Sequence, residues 1–140
     1  MSIKSPLTAV LLLLTLSFPA LSYQQDAFAR PIVYGNFVKD MPTLLKQAVN
    51  RNGWTLTQDD KGQFFAHIAY KTYEINMQIV VSNNEIRIQR QSVTRPECKN
   101  RCSINEDKVQ GWLLRLRKTI GYELTQLARE DARNNMGAKN

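Results

Sequence analysis

The residues of this chain that could do chemistry are few, and the densest group of them is cationic. Arg87, Arg90, Arg95, Lys99 and Arg101 lie close together in sequence, and Cys98 and Cys102 bracket the last two as Cys98-Lys-Asn-Arg-Cys102. Guanidinium groups suit phosphate and carboxylate through paired hydrogen bonds. A basic loop closed by a disulfide is therefore a candidate contact surface for an anionic partner. The competing reading is a solvated, charged sheet edge that blocks strand-to-strand aggregation. Lys99 and Arg101 would lower the thiol pKa values, as redox cysteines require. However, thioredoxin-like sites use Cys-x2-Cys within a βαβ pattern, and this spacing is Cys-x3-Cys. A structural Cys98–Cys102 disulfide is the favoured reading, with redox-active, free or intermolecular thiols behind it. Closing so short a loop is worth about 2 kcal/mol, a local clip on an already folded chain.

The other candidates are isolated. His67 is the only histidine. No spacing supplies it with a nucleophile or an orienting carboxylate. One histidine and two paired thiols do not make a zinc site. Asp59-Asp60 and Glu130-Asp131 are adjacent pairs that read as solvated turn and helix-end charge, whereas acid–base catalysis needs carboxylates set across a shaped cleft. Trp54 and Trp112 fall at apolar positions of their elements and read as core. The expectation is a non-enzymatic protein with no catalytic residue, metal or cofactor.

The elements that must position these residues are legible from hydrophobic periodicity. Tyr73, Ile75, Met77, Ile79 and Val81 alternate with Glu74, Asn76 and Gln78, the period of a strand with one buried face. Strands are expected on either side. Trp54 to Gln58 and Gln63 to Tyr70 precede it, joined by the turn Asp59-Asp60-Lys61-Gly62. Glu85 to about Val93 follows across Ser82-Asn83-Asn84, with Ile86 and Ile88 inward and Arg87, Gln89 and Gln91 outward. Phe64, Ala66, Ile68 and Tyr70 share one face of the second strand, and Phe65, His67 and Ala69 the other. A first helix opens at the N-cap Asp40 with Pro42 in its first turn, and buries Leu44, Leu45, Ala48 and Val49. Gly53 is its C-cap candidate. A second, long helix follows an expected capping box, Ser103-Ile-Asn-Glu106. Its stripe is Val109, Trp112, Leu113, Leu116, Ile120, Leu124 and Leu127, with Arg115, Arg117, Lys118 and Arg129 outside it. Gly121 interrupts this helix, and close packing on the sheet would explain it.

The expected fold class is α+β, a two-layer sandwich in the order α-β-β-β-β-α, with a four-stranded antiparallel meander and two helices on one face. Residues 39–128 form that single domain. Residues 23–38 are expected as a flexible arm, within which Ile32-Val33-Tyr34 could pair as an edge strand. Residues 129–140 are expected as a fraying polar tail. Residues 1–22 read as a signal peptide, with Lys4, the apolar run Leu7 to Leu16 and the small-x-small site Ala20-Leu21-Ser22. Ala27-Phe28-Ala29 is the second-ranked cleavage site. The run is too short to span a bilayer, which needs about 20 apolar residues.

Loss of the leader removes Lys4 and no acid, so the formal charge falls from +7 to +6. A periplasmic or secreted basic protein suits anionic glycan, lipid headgroups or an envelope protein as partner, and no nucleic acid is expected after export. The alternative is a secreted hydrolase inhibitor acting through the clipped basic loop. The polar reverse of the central strand, Glu74, Asn76 and Gln78, continued by the arginines of the next strand, is a second candidate surface.

The pattern of Gly53-Trp54, Gly62-x-x-x-Ala66-x-Ile68, Tyr73-x-Ile75, Ile86-x-Ile88 and the Trp112 helix resembles small exported bacterial proteins, often lipoproteins, of uncharacterised function. The resemblance covers about Lys39 to Leu127. It implies the helix–meander–helix fold and export, and brings no catalytic residues. This chain departs from the pattern in lacking a lipobox cysteine and in carrying the Cys98–Cys102 loop.

Overall fold

The computed structural model describes residues 26–138. The expected leader and its Ser22 cleavage site lie outside them. The architecture is α+β: a five-stranded antiparallel sheet and two helices. The strands are β1 (Ile32–Val33), β2 (Thr55–Gln58), β3 (Phe64–Tyr70), β4 (Tyr73–Ser82) and β5 (Glu85–Thr94), and the helices are α1 (Met41–Asn50) and α2 (Glu106–Gly137). Sheet order is β1-β5-β4-β3-β2, with β2 to β5 as the expected meander and β4 at its centre.

The strand β4 runs as its alternation dictates. Tyr73, Ile75, Met77 and Ile79 are buried, and Glu74, Asn76 and Gln78 are not. They join Phe64, Ala66, Ile86 and Ile88 from neighbouring strands, and Leu45, Val49, Val109, Leu113, Leu116 and Ile120 from the helices, in one core. The turns follow their residues. Asp59 accepts from the amides of Lys61 and Gln63 at 3.0 and 2.8 Å, and Gly62 takes φ +79°. Asn83 and Asn84 both adopt left-handed φ in the two-residue β4–β5 loop, a geometry that asparagine tolerates better than most side chains. Asp40 caps α1 by accepting from the Thr43 amide and hydroxyl at 3.0 and 2.7 Å. The amide bond, and then the hydroxyl bond, hold its carboxyl below the usual range. Gly53 follows α1 at φ +75°.

Four expectations need correction. The segment before α1 is docked where a flexible arm was expected, and it supplies the fifth strand. Phe28 sits in a single 3-10 turn, Ala27–Ala29, and is buried in the core. Ile32 pairs with Ile86 and Val33 with Glu85. The Tyr34 amide donates to the Asn84 carbonyl at 2.9 Å, and Arg117 donates to the carbonyls of Arg30 and Pro31 at 3.2 and 3.3 Å. Phe28, with Ile32, Tyr34, Phe37 and Val38 packed against the core beside it, anchors a segment that shows no periodicity.

The polar tail is helical. The helix α2 continues to Gly137, although nothing beyond Leu124 is buried, because its later residues are mostly sound helix formers. The capping box does not form either. Asn105 is the N-cap and accepts from the Lys108 amide at 3.0 Å. The Ser103 carbonyl is held by Arg95, and the Glu106 carboxylate by Arg90. Finally, a Cβ built on Gly121 would meet nothing within 4 Å. Close packing is not the reason for glycine there.

The helices are clamped where α1 ends. Glu123, the one buried charged residue in the described core, forms an ion pair with Arg51, whose guanidinium lies 5.1 Å over the Tyr122 ring. Asn52 donates to the Thr119 hydroxyl at 3.2 Å.

Candidate functional site

The five cations of the expected basic patch do not act together. Side chains alternate across a strand, so residues three apart face opposite ways. Arg87 lies opposite Val80, while Arg90 lies opposite the buried Met77 and so on the core side of the sheet. A bulge follows: Asn76 pairs with Ser92 but Met77 with Arg90, leaving Gln91 as the extra residue and resetting the alternation.

Each arginine of β5 has an internal partner. Arg87 donates to Glu85 at 2.8 Å. Arg90 donates through both terminal nitrogens to the Glu106 carboxylate at 2.8 and 3.1 Å. That paired hydrogen bond raises the Arg90 pKa and lowers that of Glu106. Arg95 is a latch. It donates to the Thr72 hydroxyl at 2.9 Å and to the carbonyls of Arg101 and Ser103 at 3.0 Å each, and its guanidinium stacks 4.7 Å over the Tyr73 ring.

What Arg95 holds is the cysteine loop. Cys98 and Cys102 form the expected disulfide, with Cα atoms 5.5 Å apart. Arg101 takes φ +52° within it. Closed by the disulfide and pinned through two carbonyls, the loop presents Lys99 and Arg101 to solvent. Both are exposed, and neither side chain forms a hydrogen bond or ion pair among the described residues. The patch read from sequence thus divides into three arginines with side-chain partners and two free cations.

The reverse of β4 is largely self-satisfied. Asn76 donates to the Ser92 hydroxyl at 2.9 Å, and Gln91 donates to the Gln78 carbonyl oxygen at 3.3 Å. Glu74 is exposed beside them. His67 is half-buried on this face, in register with Thr55 and Asn76. Asp59 is committed to its turn, and Glu130 and Asp131 lie on the exposed end of α2.

A second feature comes from residues assigned to core. Trp54, Ile68, Tyr70 and Trp112, with Asn52 and Arg115, line a cleft of about 190 Å³. It sits where the α1–β2 turn, the end of β3 and the first turns of α2 converge. Trp54 is almost fully buried as expected, whereas Trp112 is only partly so. Tyr70 and Tyr73 meet Trp112 edge to face, with centroids 5.5 and 5.2 Å away. Tyr73 also accepts from the Asn105 amide at 3.1 Å through its hydroxyl, so the rings are tied to the start of α2. Tyr70 is 46% exposed, and the Lys71 amine lies 5.4 Å over its ring. The sequence signals for the cleft are the aromatic residues just before β2, at the end of β3 and within α2, and these look the same whether they fill a core or line an opening.

Among the described residues no helix is long and apolar enough to cross a membrane. Comparison with models of protein families, with curated proteins and with solved structures gives no match.

Proposed function

We propose that the protein is a non-enzymatic binding protein of an exported compartment, bacterial periplasm or exterior, that engages an anionic envelope component through Lys99 and Arg101. The observation that carries this reading is the contrast within the basic cluster. Arg95 is spent on holding the loop in shape, while the two cations the loop displays are left without partners. A loop already ordered before binding loses little conformational freedom when it docks. In this reading the fold is the two-layer sandwich with both helices on one face, which leaves the loop at one end of the sheet clear of the core. Export rests on the apolar leader and on the disulfide, which persists in oxidising compartments. Cleavage after Ser22 retains Phe28 for the core, whereas cleavage after Ala29 would remove it. The partner is an anionic glycan, a lipid headgroup or an acidic envelope protein.

The test is binding to vesicles of anionic and zwitterionic phospholipid and to acidic polysaccharide, at low and high salt. The mature chain should bind an anionic surface, lose binding as salt rises, and lose most of it in Lys99→Ala/Arg101→Ala. The double variant should fold as the parent does. Equal binding by parent and double variant would sink the reading.

The alternative, inhibition of a hydrolase by insertion of the same loop, is favoured by the disulfide and the Arg95 latch together. It expects a hydrolase whose activity falls in the presence of the oxidised protein and recovers once the disulfide is reduced.

A further inference from the structure

The cleft between Trp54, Tyr70 and Trp112 has walls and a charge that the basic loop does not explain. We propose that it is a binding site for a small carboxylate carried on an apolar ring, with Arg115 as the partner of the carboxylate. Three observations converge. The walls are aromatic and aliphatic, and the edge-to-face contacts of Trp112 with Tyr70 and Tyr73 hold the rings in place before any ligand arrives. Prearranged apolar walls with a few polar groups are the usual form of a small-molecule site.

The polar side is cationic. Arg115 lines the cleft, is exposed, and forms no side-chain hydrogen bond or ion pair among the described residues, in contrast to Arg87, Arg90 and Arg95. No acidic residue is among the lining. A guanidinium fork matches a carboxylate in a bidentate manner. Size sets the remaining limit. A cleft of about 190 Å³ admits one ring and its acid group.

Both tryptophans of the chain line the cleft, so intrinsic tryptophan emission responds to a ligand there. The experiment titrates the purified oxidised chain with phenylacetate, with its neutral isostere phenylacetamide, with acetate and with glucuronate, exciting at the red edge of tryptophan absorption. Phenylacetate should give a saturable change, and phenylacetamide and acetate should bind at least about tenfold more weakly. Arg115→Gln should weaken phenylacetate about tenfold with an unchanged melting temperature, and Arg115→Lys should recover part of the loss. Lys99→Ala/Arg101→Ala should leave this titration unchanged, which separates the site from the loop. Absence of a saturable change with phenylacetate would overturn the proposal. So would equal affinity for phenylacetamide, equal affinity in Arg115→Gln, or tighter binding of the polar ring acid glucuronate.

Discussion

The cysteine loop and the aromatic cleft lie on either side of Tyr73, and they are built on opposite principles. The loop has almost no apolar content and is held by a covalent bond and one arginine. The cleft has apolar walls that are themselves part of the core. Tyr73 joins them, with Arg95 stacked on its ring on behalf of the loop and Trp112 against its edge on behalf of the cleft. A site made of charges on a clip can be altered without unfolding the protein, and its binding is long-range and screened by salt. A site made of core walls is tied to stability, and it discriminates by shape and by a single charge.

The largest effect that would sharpen this comparison comes from Trp54. Trp54→Ala removes a nearly fully buried wall of the cleft and should destabilise the fold by about 3–5 kcal/mol. Denaturant unfolding measures it; a loss under 1 kcal/mol would show that the cleft wall is not core. Next comes Arg95→Ala, which frees two carbonyls and the Thr72 hydroxyl and removes the contact over Tyr73. It should cost about 1.5–3 kcal/mol, with faster amide exchange from Cys98 to Asn105. If exchange there is unchanged, the disulfide alone orders the loop.

Reduction of Cys98–Cys102 should cost about 2 kcal/mol and leave the tryptophan emission little changed, because the disulfide touches no wall of the cleft and the link between them runs only through Arg95 and Tyr73. Gly121→Ala should stabilise by up to about 1 kcal/mol, since glycine is the weaker helix former and the added methyl meets nothing. A destabilised variant would place an unseen partner against that face of α2.

The smallest effect is a pH dependence. Glu106 has a folded pKa lowered by its hydrogen bonds to Arg90. The stability it contributes is therefore present above its ordinary carboxylate value and lost as pH falls through the lowered folded value. The pair is exposed, so the loss is shallow. In Arg90→Ala the midpoint should fall less steeply over that acid range than in the parent. An identical acid limb in both proteins would remove Arg90–Glu106 from the account.

How much of this was legible beforehand depended on whether a short-range pattern existed. The alternation of Tyr73 to Val81 dictated β4 and its buried face, because only a strand puts that spacing on one side. Asp40, Gly53, Gly62 and the Asn83-Asn84 pair marked cap and turns through conformations that few other residues adopt readily. The Cys-x3-Cys spacing, read together with the leader-like N-terminus, was enough to expect the clip. Tertiary structure alone decided the rest. Phe28 reaches the core from a segment with no period, and no local rule predicts where such an aromatic docks. The alternation of β5 separated Arg87 from Arg90, so five cations adjacent in sequence became three arginines with side-chain partners and two free charges. Trp54, Tyr70 and Trp112 lie far apart along the chain, and only the convergence of a turn, a strand end and a helix start makes a cleft of them. Local pattern specifies which way a side chain faces on its own element; what it meets there is set by the packing of the others.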